Sequence, residues 1–98
     1  MNTTFPMPVS SFTAREHLAV RYAQAGLPLD TSFYERRTGE EPSGLRYFTY
    51  ELAFPRHSSN AETVRFFGTF CKTATKALDR ALEIGARGVT LIDATQWL

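Results

Sequence analysis

Apolar residues change their spacing several times along the chain, and each change marks an element. Over residues 12–25, Ala14, Leu18, Tyr22 and Ala25 recur at helical steps, with Arg15, Glu16, Arg21 and Gln24 between them. Thr13 and Glu16 have the capping-box spacing, in which each side chain satisfies a free backbone N–H at the helix start. Gly26 suits the position after the last turn, and Pro28 prevents continuation. Residues 31–37 predict a strand with Phe33 and Tyr34 on opposite faces, and residues 38–44 form a turn by composition. Residues 45–54 alternate cleanly. Phe48, Tyr50, Leu52 and Phe54 take one face; Tyr47, Thr49, Glu51 and Ala53 take the other, and Pro55 ends the strand.

After a polar turn at residues 57–61, residues 64–70 predict a third strand. Val64, Phe66 and Phe70 lie on one face and Arg65, Phe67 and Thr69 on the other. Residues 71–84 predict a second helix with Ala74, Leu78, Ala81 and Leu82 as its apolar stripe. Gly85 and Gly88 suit its stop, and residues 89–92 are a short apolar, β-branched final strand. The expected order is therefore αβββα with a fourth strand. It describes a two-layer α+β domain: a three- or four-stranded antiparallel sheet, short-looped, with both helices on one face. Phe48, Tyr50, Leu52, Phe54, Val64 and Phe66 would meet Leu18, Tyr22, Leu78 and Leu82.

With 98 residues the chain fits one domain, residues 12–98, after an extended lead-in over residues 1–11 that holds Pro6 and Pro8. A chain of this size buries about 65% of its unfolded surface, enough for one core. A hydrophobic fraction of 43% with net charge +1 argues against disorder. No 18-residue apolar run offers a membrane span. The single Cys71 excludes an intramolecular disulfide and a cysteine-rich zinc site. A lone thiol and an N-terminus without a basic signal region place the expected location in the cytoplasm.

Chemistry-bearing motifs are few. The chain has no glycine-rich phosphate loop, no nucleophile elbow, no paired-carboxylate motif and no metal-ligand spacing. Cys71 near a helix start, with His17 or His57, is the one arrangement with nucleophilic character, and a small buried cysteine is its ordinary alternative. His57 reads as a loop residue and His17 as a helix-surface residue. The expectation is a protein without cofactor or metal that is not an enzyme.

Two surfaces remain. The sheet face away from the helices is expected to carry Tyr34, Arg36, Tyr47, Glu51, Arg65 and Phe67. Aromatics beside arginines suit stacked bases or a protein interface, or pair across strands on a half-exposed sheet. The second surface is the helical stripe Lys72, Lys76, Arg80 and Arg87. It follows a phosphate backbone, or it is a solvated helix face with Asp79 and Glu83 interleaved. Residues 1–55 carry five arginines and six acids, residues 56–98 six basic residues and four acids, so a basic patch would belong to the second half. Trp97 closes the chain as a core residue or an anchor.

The αβββα order, the strand Phe48-Thr49-Tyr50-Glu51-Leu52 and the segment from Gly68 to Lys76 resemble the double-stranded RNA-binding domain over roughly residues 11–84. That resemblance implies duplex binding, with Lys72 at a matching phosphate-contacting position and Lys76 offset by one. The family's Gly-Pro-x-His loop is replaced here by residues 38–44, with Glu40 and Glu41. In size and style the chain also resembles small phage or mobile-element accessory proteins, including CRISPR–Cas inhibitors. That resemblance implies a protein that docks on a larger protein or nucleoprotein complex and acts by occlusion. Tyr34, Arg36, Tyr47, Arg65 and Phe67 are its expected contacts, and Glu40 and Glu41 its phosphate mimics. The alternative is a duplex nucleic-acid module using Lys72, Lys76 and Arg80. An exposed strand edge leaves monomer and homodimer both open.

Overall fold

Thr13 opens the first helix, α1 (Ala14–Ala25). Its side chain accepts from the Glu16 amide at 3.1 Å, and the Glu16 carboxylate accepts from the Thr13 amide at 2.9 Å, which is the expected capping box. Gly26 ends α1 at φ 71°, a left-handed conformation that a side chain resists. The computed structural model describes residues 13–54 and 61–96. The lead-in, His57 with its loop, and Trp97 lie outside the described residues.

The chain continues through β1 (Leu29–Asp30), α2 (Ser32–Thr38), β2 (Arg46–Ala53), β3 (Ala61–Gly68), α3 (Phe70–Ile84) and β4 (Gly88–Thr95). The fold is α+β, and it departs from the expected order at residues 31–37, which form a helix instead of a strand. Asp30 decides the difference. Its carboxylate accepts from both the amide and the hydroxyl of Ser32, at 2.8 and 2.6 Å, and Gly39 closes the helix at φ 78°. These local bonds outweigh the strand preference of Phe33 and Tyr34.

The sheet has the order β1-β4-β2-β3 and is mixed, not antiparallel throughout. β2 runs antiparallel to both β3 and β4, whereas β1 runs parallel to β4. α3 thus carries the chain across β2, so that β3 and β4 point the same way with β2 between them. The final strand is longer than expected, eight residues, and it breaks register once. Tyr50 faces Leu91 and Thr49 faces Asp93, which leaves Ile92 as the extra residue of a bulge.

The alternation of β2 sorts as expected. Phe48, Tyr50 and Leu52 are fully buried beneath the helices, joined by Val89 and Leu91 of β4, while Phe54, Val64 and Phe66 are partly buried against them. Leu18 and Tyr22 of α1 meet Ala74, Ala77, Leu78 and Ala81 of α3 in the same core. Leu82 does not; it is 53% exposed, one step around the helix from Ala81. Phe70 enters the core from the first turn of α3, not from a strand. Two buried hydroxyls lock the layers. Tyr22 donates to the Ala74 carbonyl at 2.8 Å, tying α1 to α3, and Tyr50 bonds Thr73 Oγ1 at 2.7 Å, tying β2 to α3. Burial pushes both phenols well above their ordinary value.

Candidate functional site: the open face of the sheet

Odd-numbered residues of β2 and β3 face away from α1 and α3. At the end where β2 begins, Tyr47 lies opposite Phe67, their ring centres 5.0 Å apart and tilted by 56°. The Arg65 guanidinium sits over the Tyr47 ring at 4.9 Å. Phe67 is 49% exposed, and Leu45, just before β2, is 63% exposed. Tyr47, Arg65 and Phe67 are thus brought together as the alternation predicts. Leu45 was missed, although it has the same odd parity. An arginine over a tyrosine beside an open phenylalanine presents π-faces and one positioned cation to solvent.

The other expected contacts are dispersed. Tyr34 lies on α2 and is only 3% exposed, so it belongs to the core and not to the sheet face. Arg36 is exposed on α2 and lines a shallow groove with Phe33, Glu51 and Thr90. Its neighbour Arg37 donates to the Ile92 carbonyl at 2.6 Å and to Asp93 at 3.3 Å, which fixes α2 against β4. Beside Arg36, Ser32 holds the Asp30 carboxyl below its usual range through its two hydrogen bonds.

Glu40 and Glu41 are exposed on the loop between α2 and β2. Glu41 lies 3.8 Å from Arg15, which also donates to the carbonyl of the buried Pro42 and stacks over Phe70 at 5.0 Å. The acidic loop is therefore anchored to the start of α1, at the same end of the sheet as Tyr47.

The basic stripe of α3 is partly committed to its own chain. Arg80 grips Glu62 of β3 through two bonds, at 2.6 and 3.1 Å, and Glu83 through a third at 2.7 Å. The hydrogen bonds from Arg80 hold the Glu62 carboxyl below its usual range. Lys76 reaches over Phe66, 5.7 Å from the ring centre, and Lys72 is exposed in the first turns. Cys71, half-buried, and His17 both line the groove between α1 and α3. Among the described residues no three metal-binding side chains gather, and no helix is long and apolar enough to cross a membrane.

No family model matches this chain, no curated protein matches its sequence, and no solved structure matches its fold.

Proposed function

We propose that this chain is a binding protein, not an enzyme, which docks on a larger protein or nucleoprotein partner through its open sheet face and acts by occlusion. The observation that carries this reading is the Tyr47–Arg65–Phe67 cluster, with a half-exposed Phe67 on a face without a covering helix from α1 or α3. Tyrosine, phenylalanine and arginine concentrate binding energy because they bury large area with few torsions. The geometry of Arg80 favours a protein contact over a duplex contact along α3, because two carboxylates already neutralise that arginine.

The narrower form of the proposal makes the partner a nucleic-acid-handling machine, such as a CRISPR–Cas complex opposed by a phage- or mobile-element-encoded inhibitor. Glu40 and Glu41 then stand where phosphates would bind.

The test is crosslinking in extract of the source cell, comparing the native chain with Tyr47→Ala/Arg65→Ala/Phe67→Ala. A partner retained by the native chain and lost from the folded triple variant supports the reading; a partner held equally by both overturns it. Glu40→Lys/Glu41→Lys should weaken the same contact if phosphate mimicry operates. Fluorescence anisotropy with duplex RNA, duplex DNA and single-stranded DNA supplies the contrary outcome. Salt-sensitive duplex binding lost in Lys72→Ala/Lys76→Ala would transfer the site to α3.

A further inference from the structure

The two edges of the sheet are unequal. At one edge β1 covers Val89 and Thr90 of β4 and Arg37 donates to the Ile92 carbonyl beyond them, so that edge is interrupted, whereas β3 at the other pairs with β2 over eight residues without a register shift. Among the described residues no strand lies on the outer side of β3. An open edge of that length is a template for another strand, and proteins ordinarily guard it with lysine, proline, a bulge or inward-pointing charge. β3 contains no lysine or proline and has no bulge against β2. Its two charged side chains are engaged within the chain: Glu62 receives Arg80, and Arg65 lies over Tyr47.

We infer that the β3 edge is the interface for a second copy of this chain, with two β3 strands pairing antiparallel about a two-fold axis into one eight-stranded sheet. The edge is self-complementary: one isologous contact satisfies the outward N–H and C=O groups of both copies at once. Residues opposite one another in an antiparallel pair share a face, so the central positions for the axis are Val64, Arg65 and Phe66. Centring on Arg65 sets two guanidinium groups against each other and is disfavoured. The remaining two registers pair Arg65 with Thr63 or with Phe67 of the second copy.

The helix layer leaves room for this sheet. α3 packs on β2, β3 and β4, so the two α3 helices lie between two and three strand spacings apart, roughly 10–14 Å, and their backbones do not collide. The flank that would meet its mate holds Lys76, Arg80, Glu62 and Glu83, two cations with two anions, and has no net charge to resist approach.

The inference stands apart from the partner reading, because it is tested on the isolated chain. Sedimentation equilibrium or light scattering from about 5 µM to about 500 µM should show monomer passing to dimer. Thr63→Lys/Phe67→Lys places a lysine against Arg65 of the second copy in either register. It should raise the dimer dissociation constant at least about tenfold with unchanged circular dichroism, and adding Arg65→Glu should restore the dimer. A native chain that stays monomeric throughout, or a double variant that dimerises as tightly as the native chain, overturns the inference. If the double variant fails to fold, amide exchange of the native chain decides. Protection of β3 amides that rises with concentration supports the interface, and protection independent of concentration overturns it.

Discussion

The two faces of this sheet are made by the same strands, residue by residue in alternation, yet they carry different obligations. On the helix side, Phe48, Tyr50, Leu52, Val89 and Leu91 are sealed from water, and their volumes are set by the neighbours they fill. On the open side, Tyr47, Arg65 and Phe67 touch one another and solvent. Folding therefore constrains the first set strongly and the second weakly. In the second set the tyrosine, arginine and phenylalanine pair across the strands, a smaller stabilisation than core packing, so the core does not dictate their identity.

The largest expected contrast comes from truncating one residue on each face. Leu52→Ala should cost about 2–5 kcal/mol in urea unfolding, since the cavity beneath the helices cannot refill. Phe67→Ala should cost under about 1 kcal/mol, the scale of a cross-strand pair. Equal losses would mean that the open face is also a folding core.

The second effect is alkaline. Tyr22 and Tyr50 titrate above the ordinary phenol value of 10.0 when folded, because burial disfavours the phenolate. Their contribution is intact below pH 10 and is lost as pH rises toward the folded values, because only the unfolded chain releases those protons. Stability should fall by up to about 1.4 kcal/mol per pH unit for each tyrosine. Tyr50→Phe should cost about 1–2 kcal/mol at neutral pH and make the alkaline slope shallower. An unchanged slope would show that Tyr50 does not carry the effect.

The smallest effect belongs to the rim between the faces. Glu62 is held below its ordinary 4.5 by Arg80, so its contribution is present above that value and is lost as pH falls through the lowered one. Glu62→Gln should make the acid limb of the melting-temperature profile slightly shallower and leave the neutral value nearly unchanged. A large drop at neutral pH would make this exposed pair structural.

The sequence made the contrast between faces readable where a strand had both neighbours and a regular period. β2 declares both of its faces, so parity alone puts Tyr47, Arg65 and Phe67 on one face, while the register that sets Tyr47 opposite Phe67 belongs to the ladder. The period of Ser32–Thr38 does not reveal α2, because the segment is short and rich in aromatics; its helix signals are Asp30 before it and Gly39 after it. Taken as a strand, the segment would put Tyr34 and Arg36 on a sheet they do not join. The position of β4 between β1 and β2 depends on a crossover by α3, and no local pattern encodes which strand a crossing helix will deliver next to which. Arg80 was legible as basic, but its engagement by Glu62, 18 positions away, was not.

The bulge at Ile92 gives the chain one place where its length is negotiable. Deleting a residue anywhere inside β2 would exchange its inward and outward side chains beyond the gap, sending core aromatics to solvent. Deleting Ile92 instead leaves Leu91 opposite Tyr50 and lets Asp93 keep its place opposite Thr49, so the ladder closes without exchanging faces. Arg37 would lose the Ile92 carbonyl and still have Asp93 within reach. Among insertions and deletions scanned through the sheet, survivors should therefore gather at that position, a record of where the strand already holds one residue more than its pairing requires.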